Sequence, residues 1–365
     1  DKLIDLASFS ALSNIPLNWP KSVDTYAKMS ESRGQHLLVG LRNGTILEVP
    51  LAAQESESQE PRILQQSHFE GETWGLAVTE DDKIITCGDD NRIMMFDAET
   101  KQFVKGGKIS DKKMKDPTRK SNASTASQMP PNKQARAVTY SKKHNHLILC
   151  NNLGKVSIRS LDDFEKKPQK ALKHAKSWCE VARYSPCENY LAVGSHDDHL
   201  YVYSVDPETH EYALLTTDHK HSSWINAIDW TADSKEIRSS SGDYEVLYFD
   251  VEGKKFDPHG SETAKDKVWA TNSVKYGEDR AGVQPSGEDR THINDVNSRD
   301  GVLLSGDDFG LVNVFKWPSP ALKESRSFAA HSEHVVRVAF GKNFVFSIGG
   351  QDKALVQWRL EQNLQ

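Results

Sequence analysis

The fold is decided by a short stretch, LAVGSHDDHLYVYSV, at residues 191–205. It reads as an apolar strand ending in Gly and Ser, a tight turn with aspartates, and an alternating strand rich in aromatic residues. Alternation with a period of two between such turns is typical of a β-hairpin. The plan recurs in IITCGDDNRIMMFD (84–97), IRSSSGDYEVLYFDV (237–251), GVLLSGDDFGLVNVFKW (301–317), FVFSIGGQDKALVQWRL (344–360) and, more weakly, HLLVGLRNGTILEV (36–49) and HLILCNNLGKVSIRS (146–160).

The spacing of these seven hairpins predicts one architecture. Most of their last strands end about 43–47 residues apart, close to the ~40–45-residue repeat of a propeller. Two larger gaps place insertions at 101–134 and 253–290, and no helix is predicted. We therefore expect an all-β, seven-bladed WD40 β-propeller that forms a single domain over residues 1–365. Its blade repeats lie near 36–49, 74–97, 135–160, 178–205, 224–251, 293–317 and 335–360.

The phase of the repeat predicts how the ring closes. The last copy ends on a third strand at Leu360, with five residues left. A fourth strand for that blade must come from elsewhere, and residues 1–12 are the available candidate. Such a strand would close the ring and cover the exposed strand edges. On this reasoning the chain is a complete propeller, although it begins with Asp rather than Met and is expected to be a piece of a longer protein.

Composition narrows the functional classes. The net charge of −6 argues against nucleic acid as a partner, because phosphate binding needs a dominant basic face. No run approaches the roughly 20 apolar residues that cross a bilayer, so no membrane partner is expected. The four cysteines form no CxxC pair, which favours a reducing, cytoplasmic compartment.

Four residues of the last repeat occupy the positions of a structural tetrad: His331, Ser347, Asp352 and Trp358. A His, a Ser and an Asp together could also indicate a hydrolase triad. We favour the structural interpretation because the grouping recurs at repeat spacing, with a partial copy at His221 and Asp243. No P-loop, GxGxxG, GxSxG or HExxH motif is present. The sequence thus predicts no catalytic residue, no enzyme activity and no cofactor.

The remaining histidines raise the question of a metal. They occur in pairs, His144/His146, His196/His199, His219/His221 and His331/His334. Zinc sites need clustered Cys and His ligands on opposed segments, and these pairs lie on different loops without a thiolate nearby. We predict no metal site.

Three tryptophans and one basic segment are the candidate binding residues. Trp74, Trp178 and Trp224 lie where first strands begin, at a rim where aromatic residues make strong contacts or merely fill gaps between blades. Residues 105–120 hold seven Lys or Arg against two Asp. That segment is either a solvated loop or a tether for an acidic partner. Its candidate residues are Lys112, Lys113, Lys115, Arg119 and Lys120.

From about residue 33 onward the sequence resembles the carboxy-terminal propeller of the echinoderm microtubule-associated protein-like family. The resemblance rests on VGSHDDHLYVYSV (193–205), HSSWINAIDWTADSKEIRSSSGDYEVLYFDV (221–251), GVQPSGEDRTHINDV (282–296), DDFGLVNVFKWPSP (307–320) and GGQDKALVQW (349–358). Two departures are Gln284, where the family usually has Trp, and the longer, more basic segment at 101–134. The resemblance implies two propellers packed together, of which this chain would hold one.

The resemblance also implies a function. It points to a non-catalytic binding module for tubulin or microtubules, located on the cytoplasmic cytoskeleton in a cilium or a spindle. One alternative is a general WD40 scaffold for a complex without tubulin, and another is an enzyme built on a propeller fold, which no motif supports.

Overall fold

The structure is a computed structural model. It describes residues 2–5, 10–14, 27–33, 36–41, 44–50, 62–109, 134–284, 292–321 and 325–359, with side chains from residue 38 onward except those of Val49 and Pro50. Residues 1–70 and 71–365 form two compact units. Within the described ranges, regular structure is β-strand apart from two short helices. No helix in this part of the chain is long and apolar enough to span a bilayer.

The first unit contains a hairpin and a four-stranded antiparallel sheet. The hairpin pairs β1 (Lys2–Asp5) with β2 (Ser10–Asn14). The sheet follows chain order: β3 (Ala27–Arg33), β4 (His36–Leu41), β5 (Ile46–Pro50) and β6 (Arg62–Gln65). The weak repeat at 36–49 thus covers β4 and β5, and its apolar residues Val39, Leu41 and Leu47 are buried.

The amino-terminal strand differs from our expectation. We expected residues 1–12 to pair beside the strand that ends at Trp358, whereas the structure pairs β1 with β2. The last sheet accordingly has three strands among the described residues. A hairpin between neighbouring segments closes a short loop, which costs less entropy than bringing together the two ends of the chain.

The second unit holds six further antiparallel sheets, each in chain order. The first three are β7 (Thr73–Val78), β8 (Lys83–Gly88), β9 (Arg92–Asp97) and β10 (Gln102–Lys108); β11 (Ala135–Ser141), β12 (His146–Asn151), β13 (Val156–Ser160) and β14 (Lys170–Leu172); and β15 (Cys179–Tyr184), β16 (Tyr190–Ser195), β17 (Leu200–Val205) and β18 (Tyr212–Asp218).

The other three sheets come next in chain order. They are β19 (Ile225–Trp230), β20 (Glu236–Ser241), β21 (Val246–Asp250) and β22 (Lys255–Asp257); β23 (Ile293–Arg299), β24 (Val302–Asp307), β25 (Leu311–Lys316) and β26 (Arg326–Ala329); and β27 (Val335–Phe340), β28 (Val345–Gly349) and β29 (Leu355–Trp358). The five clear repeats of the sequence and the weaker one at 146–160 therefore each form two adjacent strands of a separate sheet.

The second strand of each sheet explains the apolar runs in the repeats. In β8, β16 and β24 every residue after the first is buried. Strands covered on both faces read as continuous apolar runs rather than alternating ones. The turns that follow need backbone with positive φ, which Asn, Asp and Gly adopt most readily. Asn91, Asp198 and Gly310 supply it.

The six sheets of the second unit pack in a ring through their first strands. β7 packs against β11, β11 against β15, β15 against β19, β23 against β27, and β27 against β7. The last of these contacts is fixed by hydrogen bonds: the Thr73 amide donates to the Gly350 carbonyl over 3.1 Å, and the Lys342 amide donates to the Asp82 carboxylate over 2.6 Å. The sheets at the two ends of residues 71–365 are therefore direct neighbours.

The insertion at 253–290 fills the gap between β19 and β23. It contains α1 (Gly260–Thr263) and a short 3-10 helix (Glu278–Val283), which the sequence did not predict. Between them, the Ala270 amide donates to the Trp230 carbonyl, and the Ser298 amide donates to the Asn272 carbonyl. The inserted segment thus bonds to the sheets on both sides and completes the ring.

All seven repeat sheets of a WD-repeat β-propeller are present, and the fold is of that class. The prediction that residues 1–365 form a single domain stays a prediction; by its contacts the chain divides into two compact units. Sheet β3–β6 lies in the first unit, and the six sheets with the inserted segment lie in the second.

Candidate protein-binding site at the mouth of the central cavity

The first strands of the second unit surround a central cavity of 420 Å³. Strands β7, β11, β15, β19, β23 and β27 line it, and Thr271 and Ser273 of the inserted segment contribute a seventh wall. A second cavity of 510 Å³ opens at the end where these strands begin. We call this second cavity the mouth. Its lining includes Trp74, Glu180, Trp224, Tyr244, Lys275 and Tyr276.

A repeated β-bulge aims one residue of each sheet at this end. Near the start of all six first strands the register shifts by one residue. A bulge leaves the extra residue out of the ladder and redirects its side chain. The bulged residues are Trp74, Arg136, Glu180, Asn226, Asn294 and Val336, and all except Arg136 line the mouth.

Arg136 lies between two of the predicted tryptophans. Its guanidinium is 4.4 Å from the Trp74 ring centre and 4.2 Å from the Trp178 ring centre. Asp89 forms an ion pair with it over 2.9 Å. A cation between two indole faces gains cation–π attraction that grows as water is excluded. Trp74, which lines the mouth, and Trp178, which lies outside its lining, are therefore held together around Arg136.

Trp224 is the predicted tryptophan that remains open. Its side chain is 45% exposed and stacks on the His196 ring at 5.8 Å. Tyr244, 41% exposed, lines the same mouth and packs edge-on against Tyr276 at 5.4 Å. Gly242 lets the indole lie close, because a Cβ there would come within 2.7 Å of the Trp224 ring. These exposed aromatic side chains are suited to contact a partner.

The floor of the mouth is a compact ion network. Glu180 accepts a hydrogen bond from His196 Nε2 over 2.8 Å and one from Arg337 over 3.2 Å. Although burial alone would raise it, these partners lower the pKa of Glu180 to about 2. Asp295 lies 4.0 Å from the other side of the Arg337 guanidinium, and burial raises the pKa of Asp295.

The inserted segment is anchored by one buried carboxylate. Asp229 of β19 accepts hydrogen bonds from the Ser273 and Val274 amides over 2.7 and 3.0 Å, and from Arg238 Nε over 3.1 Å. Burial opposes ionisation, but Arg238 and Arg183 lower the pKa of Asp229 below its usual value. This anchor places the next residue, Lys275, at the mouth.

The four tetrad residues of the last sheet form one hydrogen-bonded chain. His331 Nδ1 donates to Asp352 over 3.1 Å, Ser347 donates to His331 Nε2 over 2.8 Å, and Trp358 Nε1 donates to Ser347 Oγ over 2.8 Å. The His331 and Ser347 side chains are buried, so a substrate has no path to this serine. These hydrogen bonds join the four residues that the sequence predicts as a structural tetrad, and their structural role stays a prediction.

In the partial copy of the tetrad, His221 is also hydrogen-bonded at both ring nitrogens. His221 Nε2 accepts from Ser239 over 2.8 Å, and its Nδ1 bonds Ser241 over 2.8 Å. His221, Asp243 and Glu245 form the single group of potential metal ligands found among the described residues. Because both His221 nitrogens already have serine partners, this group has no free imidazole to offer a metal.

The other histidine pairs have different environments. His144 and His146 are buried and lie with His210 in a small ring cluster, His196 stacks between Trp178 and Trp224, and His199 stacks on Tyr201. The basic residues Lys112, Lys113, Lys115, Arg119 and Lys120 lie outside the described residues. Three of the four cysteines are buried, and all four are free thiols.

Sequence reasoning missed Arg136 beside the mouth and several residues of the mouth itself. Arg136 could have been found, because it is the second residue of β11 just as Trp74 is the second residue of β7. Tyr244 could have been found from its turn position beside Asp243. Lys275 lies in an insertion without a repeat pattern, so no signal in the sequence marks it.

Comparison with known proteins agrees with this architecture. Residues 73–360 match the family described as echinoderm microtubule-associated protein second beta-propeller, and the match begins at the first strand of the second unit. This confirms the resemblance to the carboxy-terminal propeller of that family.

Curated relatives match over most of this chain. The ciliary WD repeat-containing protein ctxp80 of Euplotoides octocarinatus is 37% identical over 90% of this chain and 45% of its own length. The 77 kDa echinoderm microtubule-associated protein of Strongylocentrotus purpuratus is 32% identical over 90% and 44%. Echinoderm microtubule-associated protein-like 2 of Rattus norvegicus is 32% identical over 93% and 48%. The chain spans about half the length of these relatives, and it belongs to the echinoderm microtubule-associated protein family.

Proposed function

We propose that this chain is a non-catalytic, protein-binding propeller that contributes to the association of a longer protein with tubulin or microtubules. The observation that carries the proposal is the mouth, where the bulges of five of the six first strands of the second unit direct side chains toward one open, partly aromatic cavity. Membership of a family whose members are named for microtubule association supports the choice of partner.

The chemistry of the mouth supports binding rather than catalysis. Its carboxylate Glu180 is held ionised by His196 and Arg337, so it is poorly suited to accept or donate a proton near neutral pH. The buried serine of the tetrad is hydrogen-bonded on both sides. We propose a location on the cytoskeleton, with the cilium as a candidate setting because one relative is named as ciliary.

The greater length of the relatives supports a further part of the proposal, that an upstream propeller precedes this one in the whole protein. The basic insertion is proposed to assist the first encounter with an acidic partner. Its contacts would be exposed, individually weak and screened by salt.

The test is co-sedimentation of this chain with polymerised microtubules and a binding assay with unpolymerised tubulin, each at low and physiological salt. Binding that saturates and competes with unlabelled chain supports the proposal. A chain that binds neither form, yet captures a defined complex without tubulin, would instead support the alternative of a general WD40 scaffold.

A further inference from the structure

Lys275 is a cation at the mouth without a direct ion pair among the described residues. Its backbone amide points toward Ser240 Oγ, 3.5 Å away, and its side chain faces the mouth. Among the described residues, its Nζ forms no hydrogen bond and no direct ion pair, although Asp295, Glu180 and Asp308 attract it at longer range. Buried or half-buried charges are normally paired. An unpaired ammonium group at an open cavity is therefore a place where an anionic ligand would gain most.

The other cations of this region are already neutralised. Arg337 lies between Glu180 and Asp295, and Arg136 pairs with Asp89 between two indole rings. Neither has a free face for a ligand carboxylate. The mouth thus offers one available positive charge.

Several groups determine the charge of Lys275. Burial and the Arg337 guanidinium lower the pKa of Lys275 to about 8, against the opposing carboxylates of Asp295, Glu180 and Asp308. Glu333 and His334 also line the cavity. The amine is therefore mainly protonated at neutral pH, and its protonated fraction falls as the pH rises through 8.

The walls beside Lys275 suit the flanking parts of a peptide. Trp224 and Tyr244 are exposed aromatic side chains on the same cavity, and Phe309, 67% exposed, follows Asp308 in the β24–β25 turn. Aromatic surfaces contact the chain on either side of an anchored residue at low entropic cost. A single carboxylate fits this site better than a phosphate dianion, because Asp308 and Glu333 would repel the second charge.

We propose that the mouth binds an acidic peptide segment of the partner, with one Glu or Asp carboxylate paired to Lys275 and its neighbouring residues against Trp224 and Tyr244. This inference rests on the proposed function, since it names the kind of partner segment that the same mouth would take. Lys275 acts as a specificity-determining residue.

The experiment measures binding of a fluorescent peptide that carries one Glu between uncharged residues to the whole chain by anisotropy. The variants are Lys275→Gln, Lys275→Arg and the control Lys167→Gln, which removes one charge from an exposed lysine of the β13–β14 connection. We expect Lys275→Gln to weaken binding about tenfold, the scale of one charge-assisted hydrogen bond. Lys275→Arg should retain binding, and the control should match the native chain. Equal melting temperatures show that the variants are folded.

The pH dependence sharpens the test. Since the carboxylate binds the protonated amine, native affinity should fall about fivefold from pH 7 to pH 9, because the protonated fraction falls about tenfold while the neutral amine keeps the weak binding expected of Lys275→Gln. The affinity of Lys275→Arg for the peptide should fall far less over this pH range, because arginine stays charged. Native-like binding by Lys275→Gln, or preference for a Lys-rich peptide of the same length, would overturn the assignment.

The outcome is separable from that of the proposed function. Peptide binding that depends on Lys275, in a chain that does not bind tubulin, would support this site and contradict the tubulin partner. Tubulin binding that is unchanged in Lys275→Gln would support the proposed function and contradict this site.

Discussion

Two regions of the molecule combine a tryptophan with ionisable side chains: the hydrogen-bonded chain around His331 and the mouth. The side chains are paired in the first region and partly open to solvent in the second. Around His331, each of the four side chains has a partner in the chain, and the histidine and serine are buried. At the mouth, Trp224 and Tyr244 are half exposed, and Lys275 has no direct ion pair among the described residues. A side chain whose polar groups are all hydrogen-bonded within the protein stabilises the fold. A side chain without a direct partner at an open cavity remains able to bind a ligand.

The mouth itself contains both kinds of group. Its floor, built on Glu180, Arg337 and His196, is as closed as the His331 chain. Its rim is open. Substitutions in the floor should therefore affect stability first, and substitutions in the rim should affect binding first.

The largest stability effect is expected at the floor. Glu180→Gln removes the carboxylate that neutralises Arg337 and leaves a buried guanidinium with Asp295 alone. Breaking a buried ion pair in this way costs about 3–5 kcal/mol. Urea unfolding should show this loss, while the control Glu333→Gln, a half-exposed carboxylate, should change stability by less than about 0.5 kcal/mol. Equal losses from both variants would contradict the distinction between floor and rim.

Acid should act on the same network. The pKa of Glu180 is lowered to about 2, so its stabilising contribution is complete above its unfolded pKa near 4.5 and is lost as the pH falls toward 2. The native chain should therefore lose more stability between pH 5 and pH 3 than Glu180→Gln. Parallel acid denaturation curves would show that Glu180 is not held ionised.

A smaller loss is expected at the tetrad. His331→Ala removes two hydrogen bonds and should cost about 1–3 kcal/mol, with binding by the folded fraction nearly unchanged. His219→Ala is the control, since His219 is exposed. A variant with an unshifted melting curve but abolished binding would reverse the assignment of the His331 chain as structural.

Much of this architecture follows from local patterns in the sequence. Apolar runs such as IITCG and LAVGS predict their strands because each is covered on both faces, and Asp352 is recognisable from its turn. Features that depend on contacts between distant segments could not be predicted in this way. Two examples are the packing of β27 on β7 and the position of residues 270–274 between β19 and β23, which involve segments far apart in the chain.

The candidate site was predictable in part. Trp74, Trp178 and Trp224 were found from their positions at strand starts, yet the sequence could not separate the two that enclose Arg136 from the one that stays open. That difference depends on which side chain the next blade places beside each indole. Lys275 was not predictable, because its position depends on the buried anchor Asp229.

The smallest effect is expected from the basic insertion. Replacing Lys112, Lys113, Lys115, Arg119 and Lys120 with Ser should weaken microtubule binding at low salt and change it little at physiological salt. Exposed charges act mainly on encounter and are screened over about 8 Å at physiological ionic strength. Identical binding curves at low salt would mean that the insertion is only a solvated loop.

The central claim is that the open rim of the mouth is the binding surface, and one measurement tests it most directly. Microtubule co-sedimentation of the native chain is compared with that of Trp224→Ala/Tyr244→Ala and of the control Leu214→Ala, which truncates an exposed apolar residue on the outer strand β18. We predict at least about tenfold weaker binding by the rim variant, with unchanged melting and a native-like control. Equal binding by all three folded proteins would contradict the account.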